Sequence, residues 1–99
     1  MIRGTTPTLE FTLPFSTDLI DEAYITVAQY KKPVFEKAKS DCTLNGNTIS
    51  VKLTQEETLK LKAGAKVEMQ IRCLTTTNDA IASEIIVCDA ERILKDGEI

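Results

Sequence analysis

Apolar and polar side chains alternate with a period of two along most of this chain, the signature of half-buried strands rather than helices. Thr8-Leu9-Glu10-Phe11-Thr12-Leu13 places Leu9, Phe11 and Leu13 on one face, and Pro14 ends the run. Phe15 to Asp21 reads as a connection with one short helical turn after Ser16 or Thr17. Ala23 to Tyr30 is a second strand, rich in β-branched and aromatic residues. Lys31-Lys32-Pro33 turns the chain, and Val34 to Lys39 begins a third extended segment.

Asn45-Gly46 predicts a two-residue hairpin loop, because a type I′ turn needs positive φ at both central positions. That register sets Cys42 opposite Ile49, Ser40 opposite Val51 and Ala38 opposite Leu53, with Ile49, Val51 and Leu53 facing the core. Phe35 has the opposite parity, which predicts a bulge near residues 36–37. Thr54-Gln55-Glu56-Glu57 has capping-box spacing and predicts a helix from about Gln55 to Leu61, ended by Gly64. Ala65 to Leu74 alternates with Val67, Met69, Ile71 and Cys73 inward, and Thr75 to Asp79 turns. Ala80 to Val87 completes a hairpin, and Ile85-Ile86-Val87-Cys88 reads as covered on both faces. The tail Asp89 to Ile99 is charged.

Six or seven strands with one short helix predict an all-β fold, an immunoglobulin-like antiparallel β-sandwich in which two half-apolar sheets bury their faces against each other. A small Greek-key barrel is the competing architecture. The chain has no Trp, so the buried-Trp mark of immunoglobulin domains is missing. No repeat or linker interrupts residues 1–99, which read as a single β-sandwich domain.

Composition narrows the function. Fifteen acidic against 12 basic residues give a net charge of −3, which argues against a phosphate-backbone binder and so against a nucleic-acid partner. No apolar run approaches the roughly 20 residues of a membrane span, and Met1 to Pro7 lacks the apolar region of a signal peptide. These features predict synthesis in the cytoplasm, with no membrane partner. Histidine is absent, so no Ser–His–Asp or Cys–His nucleophile can be assembled. Cys42, Cys73 and Cys88 form no CxxC pair and sit in apolar, strand-like contexts, which reads as three reduced core thiols. The expectation is therefore a non-enzyme with no cofactor, no metal and no small-molecule substrate.

The remaining candidates are surface features. Asp18, Asp21 and Glu22 lack the spacing of a calcium loop and read as solvated charges. Glu56 and Glu57 complement a helix N-terminus, and Lys60, Lys62 and Lys66 its far end. Tyr24 and Tyr30 share parity on one strand and read as packing under a neighbouring loop or at a protein interface rather than as a base-stacking platform. Ile85 and Val87 lie in a run with no proline or charge to guard an edge. Tyr24, Tyr30, Ile85 and Val87 are the candidate interface residues.

The opening Ile2-Arg3-Gly4-Thr5-Thr6-Pro7-Thr8-Leu9-Glu10-Phe11-Thr12-Leu13 resembles the start of small phage and prophage tail proteins, and the N-terminal sandwich of phage baseplate upper proteins. Leu53 to Leu59, Val67 to Arg72 and Ala80 to Ser83 are similar in kind. The resemblance implies a prophage-encoded tail or baseplate assembly part, virion-associated, whose partners are other phage structural proteins or further copies of itself. It carries over no active-site residue. In this reading the arm Ile2–Pro7, the exposed strand edges and the tail Asp89–Ile99 engage neighbouring subunits by strand addition. The alternative is a binding module whose loops 14–22, 31–33 and 75–80 recognise a host-surface glycan or protein.

Overall fold

The alternating runs become eight strands and one short helix in the computed structural model, which describes residues 1–99. In chain order these are β1 (Thr8–Thr12), β2 (Ile20–Gln29), β3 (Lys32–Ala38), β4 (Thr43–Asn45), β5 (Thr48–Lys52), α1 (Gln55–Leu59), β6 (Lys66–Thr75), β7 (Ala80–Ala82) and β8 (Ile86–Asp89). They form two antiparallel sheets, β1-β5-β4 and β3-β2-β6-β7, with β8 continuing the line of β7 along β6. The all-β sandwich of the sequence reading is thus the fold.

The core takes in the inward positions that the period-two pattern named on β1, β5 and β6, and adds the inward side of β2. Ile25, Val27, Ile49, Leu53 and Val67 are fully enclosed, with Phe11, Leu13, Val51, Met69, Ile71 and Cys73 around them. Each fully buried aliphatic side chain contributes roughly 1.5–3 kcal/mol. α1 starts where the capping box places it: Thr54 Oγ1 accepts from the Glu57 amide at 3.1 Å, and Glu57 accepts from the Thr54 amide at 2.9 Å. The helix stops at Leu59, and Gly64 (φ +81°) serves a later turn instead of capping it.

Several expectations are corrected. Asn45 pairs with Thr48, so the hairpin loop is Gly46-Asn47 rather than Asn45-Gly46. Gly46 alone has positive φ, +61°, as a type II′ turn with glycine at its first central position requires. Thr43 therefore faces Ser50 and Leu44 faces Ile49. Ala38 lies opposite Tyr24 in the other sheet, and Lys39–Asp41 form a 3-10 turn that carries the chain from one sheet to the other. The β2–β3 loop is Tyr30-Lys31, both with positive φ, and Pro33 lies inside β3. Proline is tolerated there because β3 is an edge strand. The bulge falls at Val34, between the pairs Val27–Phe35 and Ala28–Pro33, not at 36–37.

Candidate interaction surface

The larger sheet overhangs the smaller one, and the overhang is the most distinctive surface of the molecule. β6 pairs with β7 from Arg72 to Leu74 and with β8 from Lys66 to Met69. Between them Ser83, Glu84 and Ile85 oppose only Gln70 and Ile71, a one-residue bulge. Ser83 holds it closed. Its amide donates to the Ile71 carbonyl at 2.9 Å, and its Oγ accepts from the Ile71 amide at 3.1 Å, standing in for a backbone carbonyl.

Register decides which way the side chains point. Ile81 lies opposite Cys73 and Ile86 opposite Met69, so both belong to the core-facing side. Yet they are 40% and 46% exposed, because the three-stranded sheet does not reach this edge. Val87 lies opposite Glu68, on the outer face, and is 55% exposed, as is Ile85. The expectation that Ile85 to Cys88 is covered on both faces is therefore wrong: this edge shows apolar side chains on both sides.

The backbone of the same edge is free on one side. Ala90 donates to Ala65 and accepts from Gly64, so it faces β6. The two-residue alternation of an antiparallel ladder then turns Cys88 and Ile86 toward β6 and the peptide groups of Val87 outward. On β7, Ser83 donates to Ile71 and Thr75 donates to Asp79, which by the same alternation leaves Ala80 and Ala82 facing outward. Beyond Asp89 the edge is covered by the chain's own opening residues. Ile2 bridges Glu91 in parallel, Arg3 donates to the Glu91 carbonyl at 3.0 Å, and Glu91 donates to Met1 at 2.8 Å. The Arg3 guanidinium ties this arm down through the carbonyls of Leu61 (2.6 Å) and Leu59 (3.0 Å). The arm, expected to reach a neighbouring subunit, is thus bound within its own molecule.

Other edges are guarded. β3 carries Pro33, a bulge and the charged Lys32, Glu36 and Lys37; β4 is three residues long; Pro7 and Pro14 flank β1.

The outer face of the larger sheet carries a shallow trough. One depression of about 370 Å³ is lined by Glu22, Tyr24, Thr26, Glu36, Arg72 and Leu74. A second of about 380 Å³, bordered by Ala28, Lys31, Gln70 and Ile85, shares Thr26 with the first. Thr26 Oγ1 donates to Glu36 at 3.0 Å. Arg72 has no carboxylate within ion-pair distance; the three ion pairs are Arg3–Asp96, Lys37–Glu57 and Lys66–Asp89. Of the two tyrosines, Tyr24 borders this trough, whereas Tyr30 sits in the β2–β3 turn with the Lys62 ammonium 5.7 Å from its ring centre. They do not form one platform. The structure does bring Ile85 and Val87 together, and adds Ile81 and Ile86, which the sequence reading missed. Their signal was the register of the last hairpin, which the short turn and the bulge conceal.

Reactive groups are sparse here. All three thiols are free; Cys73 is buried, while Cys42 and Cys88 are half-buried at the core margin. Burial pushes the Cys73 and Cys42 thiols up, with Asp41 adding to the effect at Cys42, so both stay protonated near neutrality. No cluster of three or more acidic or cysteine side chains forms a metal site. No helix is long and apolar enough to cross a membrane. A scan against family models and searches of curated proteins and solved structures each found no match to this chain.

Proposed function

We propose that this protein is a non-enzymatic assembly module that joins another protein chain by strand addition at the β7–β8 edge. The observation that carries the proposal is the coincidence, on one unguarded edge, of outward peptide groups at Ala80, Ala82 and Val87 with exposed Ile81, Ile85, Ile86 and Val87. Backbone pairing supplies affinity in this mode, and alternate side chains supply selectivity. The resemblance of residues 2–13 to phage tail and baseplate proteins supplies the setting: a prophage-encoded structural part. Strand addition to other tail components explains why a small domain keeps such an edge open.

Val87→Pro tests the edge. Its amide points away from β6, so proline removes no ladder bond within the molecule and leaves the melting temperature near wild type. An incoming strand, however, loses a donor and meets the ring. Co-purification with the proteins encoded beside this gene should be lost in Val87→Pro. Wild-type-like association of the variant, or no association of the wild type with itself or any of them, refutes the proposal.

A further inference from the structure

We propose that the occupant of the β7–β8 edge is the same edge of a second copy, paired antiparallel about a two-fold axis between Glu84 and Ile85. This rests on the edge reading above and specifies its partner. Three observations select the second copy and the register.

The first is the phase of the free peptide groups. Outward groups are at Ala80, Ala82 and Val87, and the bulge puts the β7 pair and the β8 residue out of step by one. A symmetric antiparallel pairing must set outward groups opposite outward groups. Pairing Ala82 with the second copy's Val87 does so twice, once on each side of the axis. It also brings Ile81 opposite the second copy's Cys88 and uses the whole free stretch 81–88. The arm bound at Asp89 and Glu91 ends that stretch.

The second is charge. Ala82 lies beside Arg72 on β6, and Val87 lies beside Glu68. In this register one outer-face row reads Arg72, Ala82, then the second copy's Val87 and Glu68. The symmetry repeats the row with the roles exchanged. The two β6 backbones stand three strand spacings apart, about 14 Å. An extended arginine and an extended glutamate reach across that gap over Ala82 and the second copy's Val87. Arg72, without a carboxylate partner in the isolated chain, gains one at each end of the contact. The alternative register that pairs Ala80 with Val87 sets Leu74 in the row with Glu68 and leaves Arg72 alone. Glu84, the one charge in the stretch, faces Ile85 of the second copy rather than its own symmetry mate.

The third is the apolar overhang. Ile81 and Ile86 are core-facing but uncovered, and in this register Ile81 lies opposite Cys88 of the second copy and diagonal to its Ile86 on the inner face, in one continuous sheet across two sandwiches. The same contact recurs with the two copies exchanged, as the isologous interface of a two-fold dimer requires.

Ile81→Cys supplies the test. Ile81 and Cys88 form a pair without mutual hydrogen bonds across the axis, where Cα atoms approach to about 4.5 Å, within disulfide reach. Cys73, opposite residue 81 in the same chain, is replaced by Ser throughout. Oxidised glutathione should convert Ile81→Cys/Cys73→Ser to a covalent dimer of twice the chain mass on a non-reducing gel, and Ile81→Cys/Cys73→Ser/Cys88→Ser should not crosslink. Sedimentation velocity reads the same contact without cysteine. Arg72→Glu should weaken dimerisation at least tenfold, and Arg72→Glu/Glu68→Arg should restore it. A dimer that does not crosslink through Cys88, or is indifferent to the charge swap, overturns the register and the proposal. A wild type that stays monomeric yet binds a neighbouring gene product in a Val87→Pro-sensitive way overturns the second copy and leaves the edge reading standing. Monomeric protein with no such binding overturns both.

Discussion

Replacing Gln29 with Leu should destabilise this protein far more than its place at the end of a strand suggests. Gln29 is 3% exposed, and its side chain binds one residue at both ends. Nε2 donates to the Lys62 carbonyl at 2.9 Å, and Oε1 accepts from the Lys62 amide at 2.8 Å. The pair fastens the loop between α1 and β6 to the end of β2, just before the Tyr30-Lys31 turn. Leu fills similar space but leaves the Lys62 amide without its protein partner and the Lys62 carbonyl with only the long bond from the Ala65 amide, 3.4 Å. At roughly 1 kcal/mol net per lost hydrogen bond, the cost is about 2 kcal/mol. For a chain of this size, that lowers the melting temperature by about 8–16 °C. Thermal unfolding followed by circular dichroism, with urea titration to check that the m-value is unchanged, measures it. A Gln29→Leu protein within about 0.5 kcal/mol of wild type refutes the reasoning. Gln29→Glu sharpens it. A carboxylate can accept from the Lys62 amide but repels the Lys62 carbonyl, and burial raises its pKa above the unfolded value. That variant should be closest to wild type at low pH, where a protonated carboxyl can donate, and lose stability as pH rises through the folded pKa.

Glu57 gives the opposite pH behaviour. Burial pushes its carboxyl up, but hydrogen bonds from Lys37 (2.7 Å) and Thr54 together hold it below the ordinary 4.5. A depressed folded pKa stabilises above the unfolded value and is lost as pH falls through the folded one, so Glu57→Gln should flatten the acid limb of the stability curve; an unchanged limb counts against this. Gly46→Ala should cost about 1–2 kcal/mol through its positive φ alone, since nothing lies within 4 Å of an added Cβ. Asn45→Thr should be neutral, because Asn45 is a strand residue; urea midpoints of the two variants decide. Alkylation of native protein should reach Cys42 and Cys88 well before Cys73, with all three reacting in denaturant, and prompt labelling of Cys73 would contradict its burial.

Period-two patterning identified the sandwich and the core faces of β1, β5 and β6 because an inward position needs only parity; it left the inward side of β2, with Ile25 and Val27, unassigned. Registers were harder. The sequence motif Asn-Gly pointed to the right turn but one residue early, since Gly-Asn satisfies a II′ turn as well as Asn-Gly satisfies I′. Tyr30 broke the pattern for a local reason: the left-handed turn it occupies is normally given to Gly or Asn. The candidate edge was half legible. Ile85 and Val87 stood out as unguarded, but Ile81 and Ile86 look like core positions by parity. Only the extents of the two sheets, a property of the whole fold, leave them uncovered.

The strap of residues 1–3 also bears on the order in which the molecule assembles. Arg3 binds carbonyls of residues 58 and 56 positions further on, and its amide pairs with Glu91. These contacts close the longest loops in the chain for few bonds, so they form late in folding and open early in unfolding. While the strap is undone, the free margin of the larger sheet runs past Cys88 to Glu91. The partly folded protein therefore offers a longer pairing template than the finished one. Docking of the strap shortens that free margin, and newly made chains are at greatest risk of mismatched association in the interval before it happens.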